Sequence, residues 1–441
     1  MDIPRADVII VGGGLAGLAC ARCLRGMGIA VLVLEAADRP GGRVKTDRED
    51  GFLLDHGFQV LQTAYPEARA VFDYDELDLR PFLPGAMFRM DHQFFKVVDP
   101  GRRPRYLLRT LRAPVGTLGD KWRLLRLTRK ACRSRLHDLY SGEETAALEY
   151  LQNCGFTDTM IERFFRPFFS GISLDPDLRV SHRMLRFVLR MFAQDDVALP
   201  NGGMDSLVQQ LAAGIPGNRI LTGIRVVSAE KDRAILDDGT RLKTRAVVVA
   251  TDGPGAARLL GEEAWNVDSC CVNCLYFAAK TPPVADKILV VNAEPSGVIN
   301  TLCVPSQVAP GYAPAGESLV AVTVLGERKE SARQLELAVR RQLREWFSFS
   351  IDQWRFLKFF RIHHALPLQV PPLGDPAAAS VQTETGVFIC GEYKTAASIQ
   401  WALYSGRRTA EAVAGMLRSG GAGSREMREN GGRGGQSAVD A

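Results

Sequence analysis

The chain begins with two short apolar runs separated by a helical segment. Val8–Val11 contains four consecutive β-branched residues, and residues 30–34 form the second run. Uninterrupted runs of this length are typical of strands buried on both faces of a parallel sheet. Small side chains between them, among them Ala16, Ala19 and Ala21, predict a helix that lies close to the sheet. The opening pattern is therefore strand, helix, strand.

Further apolar runs predict the arrangement of the remaining chain. Strands are expected at residues 220–230, 234–238, 246–250 and 387–390, and helices at 331–346 and 398–416. Residues 86–195 are expected to be mostly helical, and residues 266–384 mostly stranded. The tail, residues 418–441, is rich in Gly, Ser, Arg and Glu and is expected to be disordered.

These runs predict an α/β protein with two domains. One is a Rossmann-like domain that is discontinuous in sequence, formed by residues 1–85, 196–265 and 385–417. The other is an inserted α+β domain, formed by residues 86–195 and 266–384.

Composition narrows the classes of partner. The 441 residues are 46% hydrophobic, enough for two cores, and the net charge of +5 is too small to predict a nucleic-acid partner. No run is long and apolar enough to span a membrane, and residues 1–7 do not form a secretory signal, so a cytoplasmic protein is expected. The nine cysteines show neither zinc-binding nor disulfide spacing, and no metal site is expected.

One basic stretch differs from the rest of the chain. Between Arg102 and Arg135, twelve Lys and Arg residues accompany a single acid, Asp120, and alternate with leucines and Trp122. This composition is typical of a peripheral membrane surface, with apolar side chains in lipid and cations at anionic headgroups. It also fits a solvated face of the inserted domain, and both interpretations stay open for residues 102–135.

Glycines directly after the first strand form a phosphate-binding pattern. Gly12 permits a tight turn, Gly14 lets the backbone approach a pyrophosphate, and Gly17 lets the helix pack on the strand. The helix N-terminus at Leu15 and Ala16 then offers free N–H groups to phosphate.

An acid follows the second strand at the position that a dinucleotide requires. Glu35 lies 23 residues after Gly12, close to the separation of about 20 residues expected for the carboxylate that accepts ribose hydroxyls. Glu35 and the adjacent Ala36 are therefore predicted to bind the ribose, and the acid disfavours a 2′-phosphate.

The next residues resemble a known superfamily. Gly41, Gly42 and Arg43 follow the second strand, and a later segment contains His56, Gly57, Phe58 and Gln59. Both segments resemble the flavin-containing amine oxidase, phytoene desaturase and protoporphyrinogen oxidase group. By that resemblance, the first segment lines the pyrophosphate and ribityl of FAD, and the second runs beside the isoalloxazine ring. The planar guanidinium of Arg43 also suits phosphate.

A remote block adds to the resemblance. An apolar strand ends in Gly391 and Glu392, and a helix follows. The resemblance implies that Glu392 binds the ribityl or pyrophosphate region and that a backbone group at Ile224 meets the adenine. It also implies that the helix N-terminus faces the flavin ring, through Ser398, Ile399, Gln400, Trp401 and Ala402. Residues 164–169 and 199–204 resemble the bacterial desaturase-like branch.

Two residues depart from the amine-oxidising pattern. Amine-oxidising members usually have Tyr or Trp where this chain has Ser398, and many members have a small glycine where it has Trp401. Serine favours the desaturase branch, whereas Trp401 either caps the flavin or is turned into the core. No cysteine lies between Cys303 and Cys390, so noncovalent FAD is expected.

The leading hypothesis is dehydrogenation of an apolar, isoprenoid-like substrate by hydride transfer to FAD, with O2 or a quinone as electron acceptor. The phenylalanines of residues 164–169 line the substrate tunnel or form core. His56 is the candidate catalytic base, and a hydrogen-bonding role beside the cofactor is its alternative. By family position, His363 and His364 are expected near the substrate cavity.

Other functions stay open. A flavin amine oxidase would take an amine substrate and usually needs a lysine near the flavin, for which Lys280 and Lys358 are the candidates. A porphyrinogen oxidase and a flavin-binding protein without turnover are further alternatives. A nicotinamide dehydrogenase is disfavoured by the second glycine pair and by the block at Gly391 and Glu392.

Overall fold

The computed structural model describes residues 3–261 and 267–430, and a five-stranded parallel sheet contains the predicted opening pattern. Val8–Val11 is confirmed as a buried strand at the centre of this sheet. The strand order is Ile220–Leu221, Val31–Leu34, Val8–Val11, Ala246–Val249 and Phe388–Ile389. Pairing of Val11 with Val249, and of Val248 with Phe388, joins segments that are far apart in sequence.

The first helix, Leu15–Gly26, and the last helix, Ile399–Asn430, pack closely because glycine lies at their contact. A Cβ on Gly406 would lie 2.3 Å from the carbonyl oxygen of Ala16. Likewise, a Cβ on Gly17 would lie 2.1 Å from the carbonyl oxygen of Gly12, which agrees with the predicted packing role of Gly17. Only glycine fits such distances.

A second, larger sheet has seven strands. Their order is Arg355–Pro367, Ser269–Ala279, Ser318–Leu325, Thr301–Cys303, Leu289–Asn292, Gly85–Met90 and Gln93–Val98. The helix Ala332–Phe347, predicted at 331–346, packs its apolar face against this sheet in a common core.

Residues 86–195 are mostly helical, as predicted, but they begin with strands. Gly85–Met90 and Gln93–Val98 form a hairpin of the large sheet, and helices follow from residue 104. The reason is a long-range contact, because Gly85–Met90 pairs in parallel with Leu289–Asn292. The helices that follow are Leu107–Arg112, Leu118–Arg133, Ala147–Asn153, Asp158–Met160, Arg166–Ser173 and His182–Gln194.

The prediction of a single strand at residues 220–230 is wrong, because this segment forms two strands in different sheets. Ile220–Leu221 belongs to the parallel sheet and Val226–Glu230 to a separate sheet. Between them Gly223 has a φ of 69°, and the N–H of Ile224 donates to the carbonyl oxygen of Glu35 at 2.9 Å. Ile224 therefore lies in a connection rather than in a strand.

The last helix extends to Asn430, into the segment predicted as a tail, residues 418–441, whose disorder stays a prediction. Residues 431–441 lie outside the described part of the chain, and so does the predicted domain boundary at 265/266.

Smaller elements complete the fold. The remaining strands are Thr46–Glu49 with Phe52–Asp55, Leu61–Gln62 and Leu79–Pro81 with Val197–Pro200, and Arg233–Leu236 and Arg241–Lys243 with Val226–Glu230. The remaining helices are Pro66–Val71, Asp205–Ala213, Gly253–Leu260 and Pro305–Val308. Within residues 3–261 and 267–430, none of the helices is long and apolar enough to cross a membrane.

Candidate active site

A cavity of about 1840 Å³ is lined by residues of both large sheets. It begins at the carboxyl ends of the parallel strands, where open α/β sheets bind their ligands. Most residues predicted to bind the cofactor line this cavity: Gly12, Gly14, Leu15, Ala16, Glu35, Ala36, Gly41, Gly42, Arg43, His56, Gly57, Phe58, Gln59, Ile224, Gly391, Glu392, Ser398, Ile399 and Ala402.

The two glycine motifs form one continuous backbone surface. The N–H of Gly41 donates to the carbonyl oxygen of Gly13 at 2.8 Å, and Gly14 and Gly41 form a parallel bridge. Gly12, Gly41 and Gly42 have φ values of 112°, 129° and 60°, which side chains other than glycine rarely adopt. A diphosphate can approach this bare backbone closely.

Backbone N–H groups hold the Glu35 carboxylate at the edge of the cavity. One oxygen accepts from the N–H of Gly13 at 2.7 Å, and the other accepts from the N–H of Ala37 at 2.8 Å. Each carboxylate oxygen has two lone pairs, so both can still accept from ribose hydroxyls. The acid is thus oriented before any ligand arrives.

An ion pair between Arg43 and Glu392 joins the two remote motifs. Nη2 of Arg43 donates to Oε1 of Glu392, and Nη1 donates to the carbonyl oxygen of Ala365 at 3.1 Å. Burial opposes the positive charge, but Glu392 raises the pKa of Arg43 above its ordinary value. Because a guanidinium has five N–H donors, Arg43 can hold Glu392 and still bind a phosphate.

His56 is held beside the cavity from two sides. Its Nε2 lies 3.0 Å from Oδ1 of Asp47, and its ring centroid lies 4.5 Å from that of Phe360. Burial opposes ionisation of Asp47, yet a hydrogen bond from Arg39 and the nearby imidazole of His56 lower its pKa. The geometry orients the imidazole through a charged neighbour.

The loop after His56 is fixed by its own side chains and by the large sheet. Nε2 of Gln59 donates to the carbonyl oxygens of Arg43 and His56, at 2.8 and 3.2 Å. Gly57 has a φ of 86°, and a Cβ there would lie 2.9 Å from Cδ1 of Ile362. The loop therefore approaches the sheet as closely as glycine permits.

Two predicted residues at the start of the last helix turn away from the cavity. Trp401 is 4% exposed and packs against the rings of Tyr140, Phe187 and Tyr404. Gln400 is also buried, and its Oε1 accepts from the N–H of Glu67. Neither lines the cavity, so Trp401 belongs to the core alternative.

The phenylalanines of residues 164–169 divide between the two predicted roles. Phe164 and Phe168 line the cavity, whereas Phe165 and Phe169 are buried in the core and are absent from its lining. Phe164 and Phe168 also contact Phe88, with ring centroids 5.4 and 6.5 Å apart, and this ring comes from the hairpin that the sequence did not predict.

Only one residue of the histidine pair and neither of the candidate lysines lines the cavity. His364 lines it, whereas His363 does not, and Nδ1 of His363 lies 3.7 Å from Oε1 of Glu327. Lys358 lies outside the lining, and its pKa is raised by the Glu49 carboxylate 3.0 Å away. Lys280 also lies outside the lining.

Several cavity residues were missed by sequence reasoning. Asp252 lines the cavity and caps the helix Gly253–Leu260, a position that follows the predicted strand at 246–250 and could have been found. Gln62 and Ile362 also line it but come from elements that only tertiary pairing brings there. Nε2 of Gln62 is buried without a hydrogen-bond partner.

The fold and the site define a dinucleotide-binding protein. The backbone of Gly12, Gly14, Gly41 and Gly42, here called the glycine cradle, and the oriented acid Glu35 lie at the ends of parallel strands. The family model described as flavin containing amine oxidoreductase matches residues 15–414, and the chain belongs to this family. Membership implies a flavin cofactor and oxidoreductase chemistry.

Individual relatives differ in what their names say they act on. A phytoene dehydrogenase from Streptomyces griseus is 30% identical over 291 residues, which cover 58% of this chain and 56% of that protein. Another curated relative is covered over only 5% of its length. A triple mutant of putrescine oxidase superposes with a TM-score of 0.71 at 17% identity, covering 93% of this chain and 99% of that one. An oxidoreductase from Methanosarcina mazei gives 0.70 at 17% identity, covering 92% and 99%. At this identity the structures establish the fold alone.

Proposed function

We propose that the chain binds FAD noncovalently along the glycine cradle. Glu35 would accept the ribose hydroxyls, Arg43 would pair with the pyrophosphate, and the N-terminus of the last helix at Ser398 would face the flavin ring. Among the described residues that line the cavity, the one cysteine is Cys132, on the distant helix Leu118–Arg133, which supports noncovalent binding. If FAD binds there, the segments that form the parallel sheet make up a discontinuous nucleotide domain, and the inserted segments make up the substrate domain.

The reaction proposed is dehydrogenation of an elongated apolar substrate. The observation that carries it is the continuation of the cavity from the glycine cradle into a chamber lined by Phe88, Phe164, Phe168 and Phe192. Each new double bond requires loss of a hydride and a proton from adjacent carbons. FAD, when bound, supplies the hydride acceptor, and O2 or a quinone takes the electrons onward.

The charges of the cavity lining support this substrate class over an amine. A cationic amine needs a free carboxylate or an aromatic wall beside the flavin, and this chain has Ser398 where amine-oxidising members usually have Tyr or Trp. Within the described part of the chain, four carboxylates line the cavity. Glu392 is already paired with Arg43, Glu35 belongs to the nucleotide end, Asp252 caps the helix Gly253–Leu260, and Asp99 accepts from the N–H of Gly101. Neither Lys280 nor Lys358 lines the cavity.

The chain's own groups would position the substrate and manage its proton. We assign His56 an orienting role beside the flavin, because its Nε2 already faces Asp47. His364 lines the same cavity and is the alternative proton acceptor.

An anaerobic substrate screen tests the proposal. The FAD-loaded protein is mixed with apolar polyenes, simple amines or porphyrinogens, and the flavin absorbance near about 450 nm is followed. Bleaching by a polyene, with a product two hydrogens lighter, is expected. Bleaching by amines alone, with hydrogen peroxide formed in air, would overturn it.

A further inference from the structure

Exposed apolar side chains concentrate in one segment. Of the ten large apolar side chains that are exposed in the described chain, six lie within residues 107–125: Leu107, Leu108, Leu111, Leu118, Trp122 and Leu125. Leu118 is 68% exposed and Trp122 is 60% exposed. An apolar surface gathered in this way marks an interaction site.

The same surface is strongly basic. Leu118, Trp122 and Leu125 are spaced to share one face of the helix Leu118–Arg133. A shallow groove of about 510 Å³ runs beside them and is lined by Trp122, Leu125, Arg126, Arg129, Lys130, Arg133 and Ser134. The Arg126 guanidinium lies 5.6 Å from the centroid of the Trp122 ring. Cations next to exposed leucine and tryptophan match the boundary between anionic headgroups and acyl chains.

The single acid of this stretch offsets the charge of one cation, Arg123, whose Nη1 lies 3.5 Å from Oδ1 of Asp120. Asp120 is fully buried, and it accepts four hydrogen bonds of 2.7–3.0 Å from the backbone and hydroxyl groups of Thr117 and Thr157. These bonds fix the start of the helix to the neighbouring helical segment. The exposed face is therefore presented on a rigid element.

This surface is continuous with the large cavity. Leu111, Leu118, Trp122 and Leu125 line the cavity as well as being exposed, and Arg129 lies beside them. The cavity thus reaches the surface at the point where the apolar and basic side chains are concentrated.

We propose that residues 107–133, the docking segment, bind the surface of a bilayer that contains anionic phospholipid, and that the cavity opens into that bilayer. The phosphate of a lipid headgroup occupies the basic groove, and the leucines enter the acyl region. An apolar substrate then reaches the cavity from lipid without crossing water, a consequence that depends on the proposed function.

Vesicle flotation of the FAD-loaded full chain tests docking without any substrate. Vesicles of phosphatidylcholine alone are compared with vesicles that contain about 30 mol% phosphatidylglycerol. We expect the protein to float with the anionic vesicles and to be released when salt is raised from about 0.1 M to about 1 M. Equal recovery with neutral vesicles, or none with either, overturns the proposal.

Variants locate the contact. Replacing Arg126→Gln together with Lys130→Gln is expected to weaken binding about 30-fold, since each cation near an anionic surface contributes about 1 kcal/mol. The matched control is Arg241→Gln with Lys243→Gln, two exposed cations of another sheet, and it is expected to bind like the parent. Equal losses in both variants mean a nonspecific charge effect and overturn the assignment.

The apolar contribution is tested by Leu118→Ser with Trp122→Ser, compared with Leu337→Ser, an exposed leucine elsewhere. Only the first is expected to lose vesicle binding, by about tenfold or more. If the docking segment instead joins two copies of the chain, the parent will have a dimer mass in solution that this variant lacks, and the proposal fails. Reduction of the flavin by substrate in detergent is measured separately, so a failure of docking and a failure of the proposed reaction are distinguishable.

Discussion

At the residue scale, the carboxylate of Glu35 accepts from the N–H groups of Gly13 and Ala37, and we propose that it also accepts from the ribose hydroxyls. Glu35→Ala is expected to weaken FAD binding by about 1.5 to 3 kcal/mol, since a charged acceptor is lost. The dissociation constant is measured by titrating the apoprotein with FAD.

Asp38→Ala is the matched control for that measurement. Asp38 is an exposed acid three residues along the chain and lies outside the cavity lining. Its removal is expected to leave the affinity unchanged. Equal affinity of the Glu35 variant and the parent would contradict the assignment of Glu35.

The buried Asp55, next to His56, predicts a pH dependence of stability. Burial raises the pKa of Asp55 from 3.8 to about 6, although the hydroxyls of Thr46 and Tyr312 donate to its carboxylate. The folded state therefore favours the neutral acid. The contribution of the neutral Asp55 to the free energy of unfolding is therefore complete below about pH 4, and it is lost as the pH rises to about 6.

Asp55→Asn is expected to remove this loss. Relative to the variant, the parent should lose about 2 kcal/mol of unfolding free energy between about pH 4.5 and 6. Urea unfolding of both proteins across that range measures the difference. Parallel stability curves for the two proteins would show that Asp55 is ionised throughout.

At the element scale, glycine sets the distance between the first and last helices. Gly406→Ala would place a Cβ 2.3 Å from the carbonyl oxygen of Ala16, which lines the cavity. We expect this variant to lose about 1 to 3 kcal/mol of stability through overpacking, and to bind FAD more weakly. Chemical unfolding and FAD titration measure the two effects.

Gly415→Ala on the same helix is the control, because a Cβ there meets nothing within 4 Å. It is expected to stabilise the protein by about 0.5 to 1 kcal/mol, since alanine favours the helix. A gain in stability from both substitutions would mean that the two helices do not approach as closely as described.

Elements with a local signal were predicted well, and those that depend on distant partners were not. Val8–Val11 and the glycines that follow it carry their own pattern, so both were predictable. The hairpin at residues 85–98 was missed because its partner, Leu289–Asn292, is remote in sequence. The sequence also did not show which way each side chain at the start of the last helix points. Ser398 lines the cavity, while Trp401, three residues later, faces Tyr140 and Phe187.

At the scale of the whole molecule, the cavity exists because the parallel sheet and the seven-stranded sheet border the same space. The two sheets are built from segments that alternate along the chain. The nucleotide end was predictable, since both glycine motifs lie at the ends of predicted strands. The apolar end was not, because Phe88, Phe192 and Ile362 come from three separate elements. Only their assembly shows that the backbone of the two glycine motifs and the phenylalanine-lined chamber belong to one cavity.

That continuity predicts that the chamber can be closed without disturbing the nucleotide end. Ile172 lines the cavity, and with Leu366 and Ala397 it also lines a small adjoining pocket, so it lies next to the segment that leads to Ser398. Ile172→Trp adds an indole there. We expect normal FAD affinity and an unchanged flavin spectrum. Reduction of the flavin by an apolar substrate is expected to be slower, on the order of 10²-fold, because the substrate can no longer align with the flavin.

Leu337→Trp, at an exposed position on the helix Ala332–Phe347, should react like the parent. Stopped-flow reduction under anaerobic conditions measures both rates, and an unaltered rate in the Ile172 variant would place the substrate elsewhere.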